Sequence, residues 1–315
     1  MHIHYLGKKI NNPLAVTIGN FDGVHIGHQF ILSKLNDFAV KNNMNSAVIS
    51  FFPHPRKVLY PRELGEVLYI DTLRQKIIKL LNYADNLLLL KFTKNLSKLS
   101  AQDFVKNLSQ LNVKYIIVAD DFYFGNKRSA DSKDLQVIAQ DYAIKVDIIH
   151  TLNTKTNSDD IKDKISSTLI RESLKQADFV KFKQYTNTDF YYTNKVSKGK
   201  QIGRTIGFPT INLRVNKNFI LPSGIYAVYV DFLDENFLTN KLKGVASLGY
   251  RPTVELDGNS NLLLEVYILN WSGDAYKKRV KVTFLQKIRD EQFFENLDEL
   301  KYAIHADIKK ANDIY

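Results

Sequence analysis

The 315-residue chain contains no cysteine, which excludes a disulfide framework, a thiolate zinc site and a cysteine nucleophile. It also lacks any run of roughly 18 apolar residues, so the sequence predicts no membrane span. Residues 1–10 lack the apolar stretch of a secretory signal. We therefore expect a soluble, cytoplasmic protein without a membrane partner.

Hydrophobic residues make up 44% of the chain and aromatic residues 12%, enough to form a sizeable core. The length favours about two domains. The net charge is +11, but the lysines are dispersed and no arginine-rich tail or basic–aromatic stripe is present. We therefore predict phosphorylated small ligands and no nucleic-acid partner.

The most informative stretch is residues 18–28, Ile-Gly-Asn-Phe-Asp-Gly-Val-His-Ile-Gly-His. It follows a β-branched run at 14–18 and precedes an amphipathic pattern through residue 41, so it forms a strand-to-helix turn. Such a turn offers free N–H groups to an anion. His25 and His28 can both donate hydrogen bonds to a phosphate as charge develops on it. These residues suggest nucleotidyl transfer at an α-phosphorus, although histidines in a turn are often only solvated polar residues.

The amino-terminal half alternates short apolar runs with amphipathic segments, at 14–18, 31–41, 46–51, 71–83, 87–92, 101–111, 115–118, 132–142 and 144–149. This alternation predicts an α/β, Rossmann-like parallel sheet with helices on both faces. A polar surface loop is expected at 153–163. Ser166, Ser167 and Thr168 then precede a helical segment that carries Arg171, a pattern that suits both an N-cap and a phosphate site.

From about residue 187, short alternating runs separated by Gly, Pro, Asn and Ser predict an antiparallel β-barrel. An amphipathic helix at about 297–311 closes it. We therefore expect two domains, 1–185 and 186–315.

Within the second half, a glycine-rich loop leads to Thr210 and Asn212, two residues apart on one strand face. Their hydroxyl and amide oxygens suit magnesium, and the glycines admit phosphates; an array of β-turns explains the same residues equally well. Glu265 lies in an otherwise apolar strand, on one face with Leu263 and Tyr267. It is either a general base or an exposed face residue.

Together these stretches resemble the family of bacterial bifunctional riboflavin kinase/FAD synthetases, in order and over the whole chain. The resemblance rests on residues 18–28, Pro53-His54-Pro55, 121–125, 165–171, 207–212, 224–226, 249–253, Glu265 and Arg289-x-Glu291. Several positions depart from the family pattern. In the amino-terminal half, Asp120 stands where phenylalanine is usual, Tyr123 where arginine is usual, and Leu169 where arginine is common. The other departures are Ala119, Ala130, Ser247, Tyr267 and Lys277.

The resemblance implies two reactions: ATP phosphorylates riboflavin to FMN in the carboxyl-terminal half, and ATP adenylylates FMN to FAD in the amino-terminal half, with Mg²⁺ accompanying the ATP. It implies catalytic roles for His25, His28, Arg171 and Glu265; ATP binding by Gly19, Asn20, Phe21, Gly27, Ser166, Ser167, Thr168, Gly203, Gly207 and Pro209; flavin binding by His54, Asp121 and Arg289; and magnesium binding by Thr210 and Asn212. Two alternatives stay open: an adenylyltransferase for another phosphorylated vitamin, and a non-catalytic regulator that binds flavin or RNA. The oligomeric state is open as well.

Overall fold

The structure is a computed structural model that describes residues 2–4, 12–60, 68–150, 165–199, 202–216, 219–233, 241–250 and 262–315. The predicted loop at 153–163 and residues 251–253 lie outside the described residues. Contacts divide the chain into two compact units, Met1–Leu169 and Ile170–Tyr315. Within the described ranges, no helix is long and apolar enough to cross a membrane.

The strands and helices of the first unit alternate along the chain. They are β1 (His2–His4), β2 (Leu14–Ile18), α1 (Ile26–Lys41), β3 (Asn45–Phe52), α2 (Pro55–Leu59), α3 (Leu73–Leu81), β4 (Asn86–Lys91), α4 (Ala101–Gln110), β5 (Val113–Ala119), β6 (Tyr123–Phe124), β7 (Ala130–Asp131), α5 (Ser132–Gln140), β8 (Lys145–Ile149) and α6 (Ser167–Lys175), with short 3-10 helices at Leu96–Lys98 and Asn126–Arg128.

Six of these strands form one sheet in the order β1-β4-β3-β2-β5-β8, and every pair is parallel. Strand residues alternate between two buried layers: Val16 and Ile18 belong to the cluster that contains α4 and α5 residues, whereas Ala15 packs with residues of α1. The predicted α/β sheet with helices on both faces is confirmed.

The chain leaves β2 towards β3 on one side, and β5 lies on the other, so β2 marks the topological switch point where ligands bind in such sheets.

The second unit holds the end of α6 and the elements α7 (Phe179–Thr186), β9 (Tyr191–Lys195), α8 (Ile202–Thr205), β10 (Thr210–Arg214), β11 (Gly224–Phe232), β12 (Leu242–Tyr250), β13 (Leu262–Ile268), β14 (Arg279–Arg289) and α9 (Leu297–Ile314). Its six strands are all antiparallel, in the order β10-β13-β12-β11-β14-β9.

The two edge strands of this second sheet approach each other. The Ser197 N–H donates to the Asn212 carbonyl at 2.8 Å, and the Tyr192 hydroxyl donates to the Arg214 carbonyl at 2.9 Å. These bonds curl the sheet into a near-barrel, as predicted. The closing helix α9 buries Ala311 against Ala227 and Val245 of the sheet.

Candidate active sites

The first candidate site is the turn between β2 and α1, at the switch point of the parallel sheet. Phe21, Gly23 and Val24 adopt positive φ angles of 50°, 84° and 40°, a region that side chains other than glycine rarely occupy. Phe21 and Val24 are buried at 3% exposure. Their burial holds the turn in this unusual conformation. Residues in such sparsely populated backbone conformations cluster at functional sites.

His25 and His28 form a stacked pair at the start of α1. The His28 N–H donates to His25 Nδ1 at 3.3 Å, so His25 caps the helix. The two rings lie 3.6 Å apart between centroids, at an interplanar angle of 18°. A Cβ on Gly27 would lie 3.3 Å from the His25 ring, which is a tight contact. Glycine at this position therefore leaves space for the ring. The predicted pair is thus brought together.

The surroundings of His28 favour the neutral form of its imidazole. Burial, followed by the nearby His25 and Lys76, holds the pKa of His28 well below 6.5, because a desolvated imidazole resists a positive charge. Its Nδ1 is buried and has no hydrogen-bond partner among the described residues. The Phe21 ring meets it edge-on at 5.0 Å. A neutral ring with an unused polar atom is suited to an incoming phosphate.

Sequence reasoning missed Lys76, a buried lysine on α3. Its Nζ donates to Asn20 Oδ1 at 3.4 Å and to the Phe51 carbonyl at 3.2 Å. Burial lowers the pKa of Lys76 to about 8, although Asp22 and Asp71 oppose that effect. A lysine on an amphipathic helix normally indicates a solvent face, so no signal in one sequence identifies it.

Of the predicted residues at the start of α6, Ser167 contacts this turn. The Ser167 hydroxyl donates to the Asp22 carbonyl at 2.9 Å, which ties the start of α6 to the turn. Ser166 accepts from the Leu169 N–H at 3.4 Å. Thr168 is exposed, and Arg171 is half-buried one turn of α6 beyond Ser167.

Two predicted flavin ligands lie at the ends of strands. The His54 Nδ1 accepts from the Arg56 N–H at 3.1 Å and so caps α2. Asp121 is exposed, two residues after β5. Asp120, which departs from the family pattern, is paired with His150 at 3.3 Å.

The second candidate site lies on adjacent strands of the near-barrel. Asn212 on β10 is directly opposite Glu265 on β13, and Thr210 is opposite Tyr267. Along β13, Leu263, Glu265 and Tyr267 share the half-buried face while the residues between them are buried. The alternation predicted for Glu265 is confirmed. Directly opposed residues share one face of a sheet, so the carboxylate, amide and hydroxyl groups lie together.

Asn212 carries an unsatisfied oxygen in this site. The residue is 5% exposed, and its Oδ1 has no hydrogen-bond partner in the described part of the chain. Its Nδ2 donates to the Thr210 carbonyl at 3.3 Å. A Cβ on Gly199 would lie 2.5 Å from Asn212 Oδ1, so glycine makes room for the amide. A buried amide oxygen without a donor fits a hard cation such as magnesium.

The other predicted residues of this half differ in their surroundings. A Cβ on Gly203 would overlap the Phe208 carbonyl, whereas Gly207, at a φ of 92°, has open space around it. Pro209 is exposed. Arg289 makes a bidentate ion pair with Asp307 of α9, at 2.8 and 2.7 Å, so this guanidinium already has a protein partner.

Known proteins resemble this chain over its whole length. Residues 7–169 match the family model described as FAD synthetase, and residues 186–315 match the model described as riboflavin kinase. A bifunctional riboflavin kinase/FMN adenylyltransferase of Buchnera aphidicola subsp. Schizaphis graminum is 37% identical over 98% of this chain and 95% of its own length. The protein of the same description from Escherichia coli (strain K12) is 34% identical, over 99% and 96%. A crystal structure described as a macrolide-efflux protein from Streptococcus pneumoniae aligns with a TM-score of 0.80 and 27% identity, over 98% of both chains.

Proposed function

This chain belongs to the family of bifunctional riboflavin kinase/FMN adenylyltransferases, and we propose that its two reactions take place at the two sites described above. The chain phosphorylates riboflavin to FMN in its carboxyl-terminal half and adenylylates FMN to FAD in its amino-terminal half, with ATP as co-substrate.

In the amino-terminal site, a phosphate oxygen of FMN attacks the α-phosphorus of ATP. The new P–O bond forms as the bond to the oxygen that bridges to the β-phosphate breaks, so FAD and pyrophosphate leave without a covalent enzyme intermediate. His25 and His28 stabilise the charge that develops on the pentacovalent transition state. The observation that supports this role is the stacked pair, in which the buried Nδ1 of His28 has no hydrogen-bond partner among the described residues.

The surrounding residues bind the two substrates. Gly19, Asn20, Phe21 and Gly27 form the turn that receives ATP, and Ser166, Ser167, Thr168 and Arg171 hold the leaving pyrophosphate. The bond from Ser167 to the Asp22 carbonyl supports this placement, as does the attraction of a helix N-terminus for phosphate. His54 and Asp121, at the ends of β3 and β5, contact the flavin.

In the carboxyl-terminal site, Glu265 accepts the proton of the terminal ribityl hydroxyl of riboflavin. The freed oxygen attacks the γ-phosphorus of ATP, the bond to the β–γ bridging oxygen breaks, and FMN and ADP are formed. The single observation that carries this assignment is the register that sets Glu265 opposite Asn212.

Thr210 and Asn212 would hold the magnesium ion of ATP, because the buried Asn212 Oδ1 has no donor among the described residues and an amide oxygen can ligate a hard cation. The ion supplies positive charge that offsets the phosphates. Gly203, Gly207 and Pro209 border the ATP. Arg289 contributes to the flavin site, on the end of β14 where Asp307 fixes its guanidinium.

We propose domain limits of 1–185 and 186–315, which the start of the riboflavin kinase match at residue 186 supports. This division assigns α6 and its Arg171 to the adenylyltransferase. The reactions take place in the cytoplasm, where ATP is supplied.

Separate assays of the two reactions test these assignments. Glu265→Gln should abolish FMN formation from riboflavin and ATP while FAD formation from supplied FMN is unchanged. His28→Asn should lower FAD formation from FMN by about 10²-fold or more, while FMN formation from riboflavin is unchanged. Loss of both activities in either variant, or of neither, would contradict the assignment.

A further inference from the structure

Lys76 lies on α3, 56 residues after Asn20, yet its side chain contacts the turn between β2 and α1. It is 6% exposed, and its ammonium lies between the Asn20 amide at 3.4 Å and the Phe51 carbonyl at 3.2 Å. A buried ammonium is costly unless it is paired or hydrogen-bonded. A neutral apolar residue would fill the same space at lower cost, so the charge itself calls for an explanation.

We propose that Lys76 is a positioning residue of the FAD synthetase site, which orients Asn20 through its side-chain oxygen and so directs the Asn20 NH₂ group to a phosphate oxygen of ATP. This inference rests on the proposed placement of ATP at residues 19–28. An amide whose oxygen is held by a cation has its nitrogen fixed as the free donor. The same ammonium places a positive charge beside Asn20, in the turn between β2 and α1.

Charged groups from several elements surround Lys76. Asp22 in the turn and Asp71 before α3 favour its charged form, and Lys76 in turn disfavours the charged form of His28 on α1. Asp71 also pairs with Lys79 at 2.6 Å. The ammonium therefore couples the turn, α1 and α3 electrostatically, whereas the hydrogen bond to Asn20 is its direct contact with the proposed ATP site.

The first test is the full-length Lys76→Met variant, with riboflavin kinase activity of the same chain as the internal measure of folding. FAD formation from FMN should fall by about 10²-fold, mainly in kcat, because a small misplacement of a positioned group costs that much. Kinase activity should stay within about twofold. Lys76→Arg, which keeps the charge, should recover part of the loss. Arg74→Met, which removes an exposed cation from the same helix, should have no effect.

A double-mutant cycle with Asn20→Ala tests the route of the effect. If Lys76 acts through Asn20, adding Lys76→Met to Asn20→Ala lowers FAD formation by less than about twofold further. Fully multiplicative losses would overturn the proposal, as would a Lys76→Met variant with unchanged kcat. If Asn20→Ala and His28→Asn both retain full FAD synthetase activity, the proposed ATP site itself fails, which is a distinguishable result.

A pH profile supplies a readout that a purely structural lysine would not move. With a pKa of about 8, Lys76 should lose its proton above that pH, and FAD synthetase activity should fall there. In Lys76→Arg the fall should disappear, because arginine stays charged. An unchanged alkaline limb in Lys76→Arg would contradict the proposed role of the charge.

Discussion

At the scale of residues, the position of each candidate side chain depends either on a neighbour that is distant in sequence or on a glycine whose lack of a Cβ leaves space. Gly27 leaves space for the His25 ring, and Gly199 leaves space for the Asn212 amide. Both histidines and the amide could be picked out from sequence because their motifs are local. Lys76 could not, since its role depends on α3 lying beside the turn, which no local pattern encodes.

The ionisation of His28 gives the first prediction. The chain has seven histidines, and loss of one imidazole resonance in His28→Asn identifies His28 by NMR. Its titration midpoint should lie below 6.5, because burial disfavours the imidazolium. Addition of ATP should raise the midpoint, since a nearby anion favours the charged ring. A midpoint at or above 6.5 without ligand would contradict the described environment.

Folding should depend on pH through the same group. Its pKa is lower in the folded chain than in the unfolded chain, so below about pH 6.5 the unfolded state binds the proton first and folding is opposed. Acid should therefore destabilise the wild type more than His28→Asn, as measured by thermal unfolding at a series of pH values. Equal acid sensitivity of the two proteins would count against this account.

The next prediction concerns the Asn212 side-chain oxygen, which has no donor among the described residues. Asn212→Ala should raise the magnesium concentration that riboflavin phosphorylation requires by about tenfold or more, without changing FAD formation from supplied FMN. Gly199→Ala should behave similarly, because its Cβ would displace the amide. Asn312→Ala, which changes an exposed residue of α9, is the matched control. A magnesium requirement unchanged in Asn212→Ala would exclude the residue as a ligand.

At the scale of elements, periodicity predicted most helices and strands, and the misses have physical causes. The three-residue β1 is too short to show a period. Helix α2, at Pro55–Leu59, has only five residues, too few to show a helical period. Helix α7 lies at the predicted domain boundary and is not among the predicted helices. Its Asp178 cap and the apolar Phe179 and Phe182, which are buried, are sequence features that indicate a helix.

The ion pair between β14 and α9 gives a stability prediction. Arg289 and Asp307 have side-chain exposures of only 17% and 5%, so Asp307→Asn leaves a poorly solvated guanidinium and should cost about 3 kcal/mol of unfolding free energy. Asp298→Asn, which breaks an exposed pair on the same helix, should cost under about 0.5 kcal/mol. Urea unfolding followed by fluorescence of Trp271, the single tryptophan of the chain, reports the second unit. Equal costs for the two variants would refute the stabilising role of the buried pair.

At the scale of the whole molecule, each reaction is assigned to one of the two sheets, and each sheet has its own core. The parallel sheet has a topological switch point at β2, and the near-barrel has opposed polar residues on neighbouring strands. The order of elements made both architectures predictable. The bond that ties Ser197 to Asn212 could not be predicted, because it joins backbone groups that carry no sequence signal.

We propose that two independent sites, identified by His28 and Glu265, act in succession on one flavin. The most direct measurement mixes the His28→Asn and Glu265→Gln proteins with riboflavin, ATP and Mg²⁺ and separates the flavins by chromatography over time. Alone, the first variant should stop at FMN and the second should leave riboflavin unchanged, whereas the mixture should form FAD. FAD from either variant alone at the wild-type rate, or none from the mixture, would contradict the account.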